Sequence, residues 1–154
     1  MLMILGIRCS SKDYYYVVLK GGRQQPEIVA YDHVAFPKGY TRAQELKWFF
    51  QEIDAIIEKH KIAAVSIKGP EGMARRDKSF VVRTENEAIV QLAASEKGIK
   101  LINKKVYCTI AKDLGLKGKA KYLKTDLDYS VFPEFNKMHD SLKDAILAAW
   151  SSFQ

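Results

Sequence analysis

The sequence predicts an α/β fold built on one mixed sheet with helices on its faces, and three observations point to it. Three strand-like segments open the chain, an amphipathic helix then leads into a wholly apolar strand, and a second helix leads into another short apolar segment. A helix feeding a buried strand implies a parallel crossover, whereas strands joined by short polar breaks form an antiparallel meander.

The first strand is expected over Leu2 to Cys9, which is short, apolar and partly β-branched, and Ser10, Ser11 and Lys12 break it before the aromatic, valine-rich Asp13 to Lys20. After GGRQQP, Glu27 to Phe36 reads as a third strand, with Ile28, Ala30, Asp32 and Val34 facing one way and Val29, Tyr31, His33 and Ala35 the other. Thr41 and Gln44 form a capping box. Leu46, Phe49, Phe50, Ile53, Ile56 and Ile57 follow at helical spacing up to the polar KHK. Ile62 to Ile67, bounded by Lys61 and by Gly69-Pro70, suits a strand buried on both faces.

The polar loop GPEGMARRDK precedes a second helix, whose apolar side carries Ala88, Ile89, Leu92 and Ala93 and which ends before Gly98. Thr84 and Glu87 offer an internal capping box and place its expected start there. Ile99 to Ile102 forms a fifth strand, Val106 to Leu114 a short helix, and Leu142 to Phe153 an alanine-rich terminal helix. No repeat or low-complexity linker interrupts this order, and 154 residues suit one domain, so residues 1–154 are expected to form a single domain.

Hydrophobic residues at 47% and charged residues at 28% are ordinary globular values that exclude disorder and fibrous repeats. The formal charge of +7 creates a positive field that attracts polyanions, DNA or RNA before an anionic membrane. Cys9 and Cys108 make no CxxC pair, which argues against a disulfide scaffold and against structural zinc. A reducing cytoplasm is the expected setting. The apolar opening meets Arg8 too soon for a signal segment or a membrane span.

Four segments carry a family resemblance: GIRCSS at the end of the first strand, VSIKGPEG at the end of the fourth, the helix around NEAIVQLAA, and the closing HDSLKDAILAAW. Together they span nearly the whole chain, and the last is the most specific, with Asp144-Ala145 leading an alanine- and leucine-rich helix. In these segments the chain resembles RuvC-like Holliday junction resolvases of the RNase H-like superfamily. The resemblance implies a five-stranded mixed sheet with helices on both faces, and an aspartate on the first strand, a glutamate on the fourth and carboxylates on the last helix. In that family these acids hold two divalent metals, Mg or Mn, that activate water against a phosphodiester.

The departures from the pattern decide the functional expectation. Arg8 stands at the position that resembles the first aspartate and Lys68 at the position that resembles the fourth-strand glutamate. Asp144 matches, but the residue three before it is Ser141, and Asp140 is one place further back, still on the same helix face. Two cations at the metal positions oppose divalent binding, so no metal or other cofactor is expected. Arg8 and Lys68 are expected to pair with Asp144, and with Glu71, in a degenerate site.

Further basic groups are candidates for phosphate contact. Lys104, Lys105, Lys112, Lys117, Lys119, Lys121 and Lys124 accumulate ahead of the last helix, with Tyr107 and Tyr122 as possible stacking groups. Arg75, Arg76, Lys78 and Arg83 follow the fourth strand, although Asp77, Glu85 and Glu87 offer them local ion pairs. His60 and His33 read as structural or surface groups. His139, beside Asp140, reads as a helix cap with catalysis as its alternative. Tyr14, Tyr15 and Tyr16 cannot form one stack, because consecutive strand residues face opposite sides.

The leading expectation is a nuclease-degenerate domain that binds nucleic acid or serves in a nucleic-acid-processing assembly, with a protein partner or a homodimer possible. The alternatives are an active Mg- or Mn-dependent endonuclease or junction resolvase with a shifted set, Asp13, Glu71, Asp140 and Asp144 with His139, and an interaction scaffold with no nucleic-acid role.

Overall fold

The computed structural model describes residues 2–154; Met1, the first residue of the apolar opening, lies outside them. Five strands form one sheet in the order β3-β2-β1-β4-β5. The meander comprises β1 (Ile4–Cys9), β2 (Asp13–Lys20) and β3 (Glu27–Ala35), paired antiparallel. β4 (Ala64–Lys68) joins β1 in parallel and β5 (Leu101–Lys105) joins β4 in parallel, as the two helical crossovers require.

One face of the sheet is covered by α1 (Arg42–His60) and α2 (Lys78–Glu96), which pack on Leu5, Ile7, Val18, Val65 and Ile67. The other face carries α5 (Asp140–Trp150), helped by α3 (Tyr107–Asp113) and the single turn α4 (Tyr122–Thr125). The Thr41–Gln44 capping box is present in both directions, and Lys61 closes α1 in the left-handed region.

α5 lies directly on β1 because Gly6 has no side chain. A Cβ there would overlap the Ala145 carbonyl oxygen and stand 2.7 Å from Ala149 Cβ. Glycine on the strand and alanines on the helix set the distance at which Asp144 meets the strand ends. No helix among the described residues is long and apolar enough to cross a membrane.

Three sequence expectations are corrected. α2 starts at Lys78, six residues before Thr84, because the Asp77 carboxylate accepts the Phe80 N–H at 3.0 Å and caps it. β5 is shifted toward Lys105 relative to the predicted Ile99 to Ile102: Ile99 closes the α2 turn through its N–H to Ala94, and pairing with β4 begins at Leu101. The alternation along β3 is broken by a register shift between Val18 and Leu19, so Ile28 packs on the α5 side while Ala30 and Val34 pack on the α1 side.

Candidate functional site

β1 and β4 end side by side and in the same direction, and α5 crosses their ends. This brings Arg8, Lys68 and Asp144 into one neighbourhood. Arg8 Nε lies 3.4 Å from Asp144 Oδ2, with the two side chains 22% and 13% exposed. That Nε makes no hydrogen bond, so the pair is one of charge, while Nη1 donates to the Cys9 carbonyl.

Lys68 takes Glu71 of the two expected partners and makes no ion pair with Asp144. Its Nζ donates to the Gly69 carbonyl at 2.7 Å and lies 2.8 Å from Glu71 Oε2. The link to Asp144 runs through Tyr107, which no sequence pattern singled out for this role. Lys68 Nζ stands 4.1 Å from the Tyr107 ring centroid, the Tyr107 backbone N–H donates to Glu71 Oε2 at 3.0 Å, and the Tyr107 hydroxyl donates to Asp144 Oδ1 at 2.7 Å. Burial, then the Asp144 carboxylate, pushes the Tyr107 phenol well above its ordinary range, so it stays a donor at neutral pH.

Two cations and two carboxylates thus close on one another around an aromatic ring. Lys68 is 2% exposed, a depth at which a lysine keeps its charge only with such partners. A second ion cluster backs the first. Glu87, fully buried on α2, takes Arg83 Nε at 3.2 Å and Lys104 Nζ at 2.9 Å, the latter a charge contact whose angle makes no hydrogen bond. Arg83 also donates to the Lys68 carbonyl at 3.0 Å, tying α2 to the end of β4.

The shifted carboxylate set is not assembled. Glu71 and Asp144 are held by Lys68 and Arg8, Asp140 is 98% exposed and 3.8 Å from Lys143, and Asp13 lies with Ser10 and His33. Among the described residues no three His, Cys, Asp or Glu side chains are grouped so as to hold a metal ion. The metal pair implied by the resemblance does not fit these residues, because Asp144 and Glu71 are engaged by Arg8 and Lys68 and the remaining acids lie apart.

The basic candidates separate by place. Lys105 is buried, donating to Ser151 at the end of α5 and pairing with Asp113 at 2.9 Å, and so is no surface contact; Lys104 is committed to Glu87. Lys112, Lys117, Lys119, Lys121 and Lys124 are exposed. Lys117 and Lys121 lie over the Tyr122 ring, at 5.7 and 5.2 Å from its centroid, so Tyr122 carries cations rather than a free stacking face. Arg75, Arg76 and Lys78 are exposed after β4, Arg75 near Asp77 at 3.8 Å and Arg76 over Phe80 at 4.9 Å.

Between the lysine-rich segment and α5 lies a cleft of about 680 Å³, bordered by Tyr107, Asp140 and Asp144 and by Lys121, Lys124 and Lys143. On the other side of α5, Arg8, Tyr15 and His33 form one row across β1, β2 and β3. His33 and His139 both stack on the Tyr15 ring, with centroids 4.0 and 4.7 Å away. The His139 Nδ1 accepts the Ser141 N–H at 3.0 Å and caps α5. Burial works against Asp13 ionisation, but hydrogen bonds from Ser10 and His33 outweigh it and hold its carboxyl below the ordinary range.

Neither a protein-family model nor a curated protein matches the sequence. Solved structures do. Thermus thermophilus RuvC in complex with Holliday junction substrate superposes with a TM-score of 0.73 at 13% identity, over 98% of this chain and 92% of that one. The yeast mitochondrial Holliday junction resolvase gives 0.64 at 13% identity, over 96% of this chain and 76% of that one. At these identities the likeness is one of fold: the chain has the RuvC-like, RNase H-like α/β fold.

Proposed function

We propose that this protein is a RuvC-like domain that binds nucleic acid without cleaving it, alone or as a subunit of a nucleic-acid-processing assembly. The observation that carries the proposal is the closed cluster of Arg8 with Asp144 and Lys68 with Glu71 at the junction of β1, β4 and α5. A metal-dependent nuclease needs carboxylates free to take up hard cations, and here protein cations have that place. The exposed lysines along one wall of the neighbouring cleft supply positive charge for phosphates. The likeness to a structure holding junction DNA supports a nucleic-acid role for the same fold.

The test uses labelled single-stranded, duplex and branched DNA and RNA, in buffers with magnesium or manganese and rising salt. Affinity is expected to fall steeply with salt while the labelled strand stays full length. Replacing Lys117, Lys119 and Lys121 together by Ala should flatten the dependence of log affinity on log salt by roughly one unit per lost phosphate contact. Divalent-dependent cleavage that is lost on Asp144→Ala would contradict the proposal. Neither binding nor cleavage would leave the fold as an interaction scaffold.

A further inference from the structure

We infer that the cleft between the lysine-rich segment and α5 is a seat for one unstacked base of an unpaired nucleic-acid strand, with lysines at its mouth holding the flanking phosphates. The inference rests on the nucleic-acid reading above. It adds which form of nucleic acid is taken and where.

The floor of the cleft is apolar and already formed. Leu123, Phe135 and Leu147 line it from three separate elements while each remains buried. Tyr129 stacks on Phe135 with ring centroids 4.3 Å apart and donates its hydroxyl to the Leu123 carbonyl at 2.5 Å, which fixes the aromatic wall in place. A preformed apolar hollow of about 680 Å³ lies in the size range of nucleotide and small-ligand sites.

The mouth has the opposite character. Lys121 and Lys124 stand on one lip and Lys143 on the other, against Asp140, which Lys143 approaches at 3.8 Å. Asp144 adds no free negative charge, because Arg8 and Tyr107 already engage its two oxygens. Cation–π contacts hold two of these ammonium groups near the lips, Lys121 over Tyr122 and Lys143 5.6 Å from the Phe135 centroid. The side-chain amide of Asn136, exposed at the cleft, offers donors and an acceptor to a base edge.

Apolar floor, exposed amide and cationic lips match the parts of a nucleotide in order: the π face, the polar edge and the backbone. In a duplex the π faces are stacked away and only the backbone is offered, so a paired strand reaches the lips but not the floor.

The experiment measures binding to the full chain of a single strand carrying one 2-aminopurine, beside the same strand in a duplex. The single strand is expected to bind about tenfold more tightly, and its emission to rise as the base leaves its stacked neighbours. Ala120→Trp, at the exposed cleft edge, should abolish the emission rise and the single-strand preference while leaving salt-sensitive binding. Asn136→Ala, at an exposed position, gives a second variant if the first fails to fold, and it should reduce the preference for the single strand. Equal affinity for single strand and duplex, or an emission rise that survives both substitutions, overturns the base seat while the nucleic-acid reading stands. Absence of salt-sensitive binding to either form overturns both.

Discussion

Asp144 is held by two groups of different character, the Arg8 guanidinium through charge and the Tyr107 hydroxyl through a 2.7 Å hydrogen bond. Asp144→Ala removes both and leaves a mostly buried guanidinium without its counter-ion. The expected cost is about 2–3 kcal/mol, reduced from a fully buried case because Arg8 keeps some solvent. Asp144→Asn keeps an acceptor for Tyr107 and should lose less; chemical denaturation of the two variants checks the order. Arg8 and Lys68 were legible in the sequence as cations at the ends of two strands, and the fold brings both into one cluster. Tyr107 was not, because its role depends on β5 delivering α3 beside β4, a tertiary fact with no local pattern. The stacking of His33 and His139 on Tyr15 is equally silent in sequence, since it needs strand register and helix placement together. The lysine run misled at Lys105, where sequence shows a charge and the fold supplies Ser151 and Asp113 to bury it.

At the scale of elements, the contact between β1 and α5 positions the whole cluster. Gly6→Ala would force the Ala145 backbone away and is expected to destabilise by about 3 kcal/mol or more, beyond an ordinary overpacked methyl because the obstacle is backbone. A melting curve close to that of the parent would show that α5 can lift without loss. The helix was legible through its alanines, but the need for glycine opposite them was not, because nothing local to GIRCSS says which helix covers it. α2 was placed too late for a similar reason. The turns before Thr84 carry charged residues whose reach is into the rest of the fold, as when Arg83 donates to the Lys68 carbonyl, and the Asp77 that caps them reads in sequence as a local ion-pair partner.

Across the whole molecule, a sheet order of β3-β2-β1-β4-β5 and helices on both faces follow from the meander and two crossovers, and this much the chain's pattern carried. One buried tyrosine, Tyr14, and two half-buried ones, Tyr107 and Tyr129, tie the two faces to alkaline stability. Burial pushes the Tyr129 phenol up to about 12, and Tyr14 and Tyr107 are raised further, by burial first and then by the carboxylates of Glu52 and Asp144 respectively. Folded values above unfolded ones mean that this stability is fully present below about pH 10 and is lost as pH rises through the folded values. Melting temperature should therefore fall as pH rises from about 10 to about 12, with the tyrosinate absorbance of these three phenols appearing only as the protein unfolds. A tyrosinate titration that runs to completion, all eight phenols included, while the protein stays folded at ordinary phenol pH would contradict it.

The proposal on which the rest depends is that Arg8 and Lys68 occupy the place that divalent metals would take in a nuclease of this fold. Arg8→Asp with Lys68→Glu should gather four carboxylates around Tyr107 and destabilise the metal-free chain by mutual repulsion. The decisive measurement is the melting temperature of parent and double variant with and without millimolar magnesium. The parent is expected to be unmoved by the metal, and the double variant to melt lower and to regain stability when magnesium is added. A parent that is itself stabilised by magnesium at this site, with the effect lost on Asp144→Ala, would contradict the account.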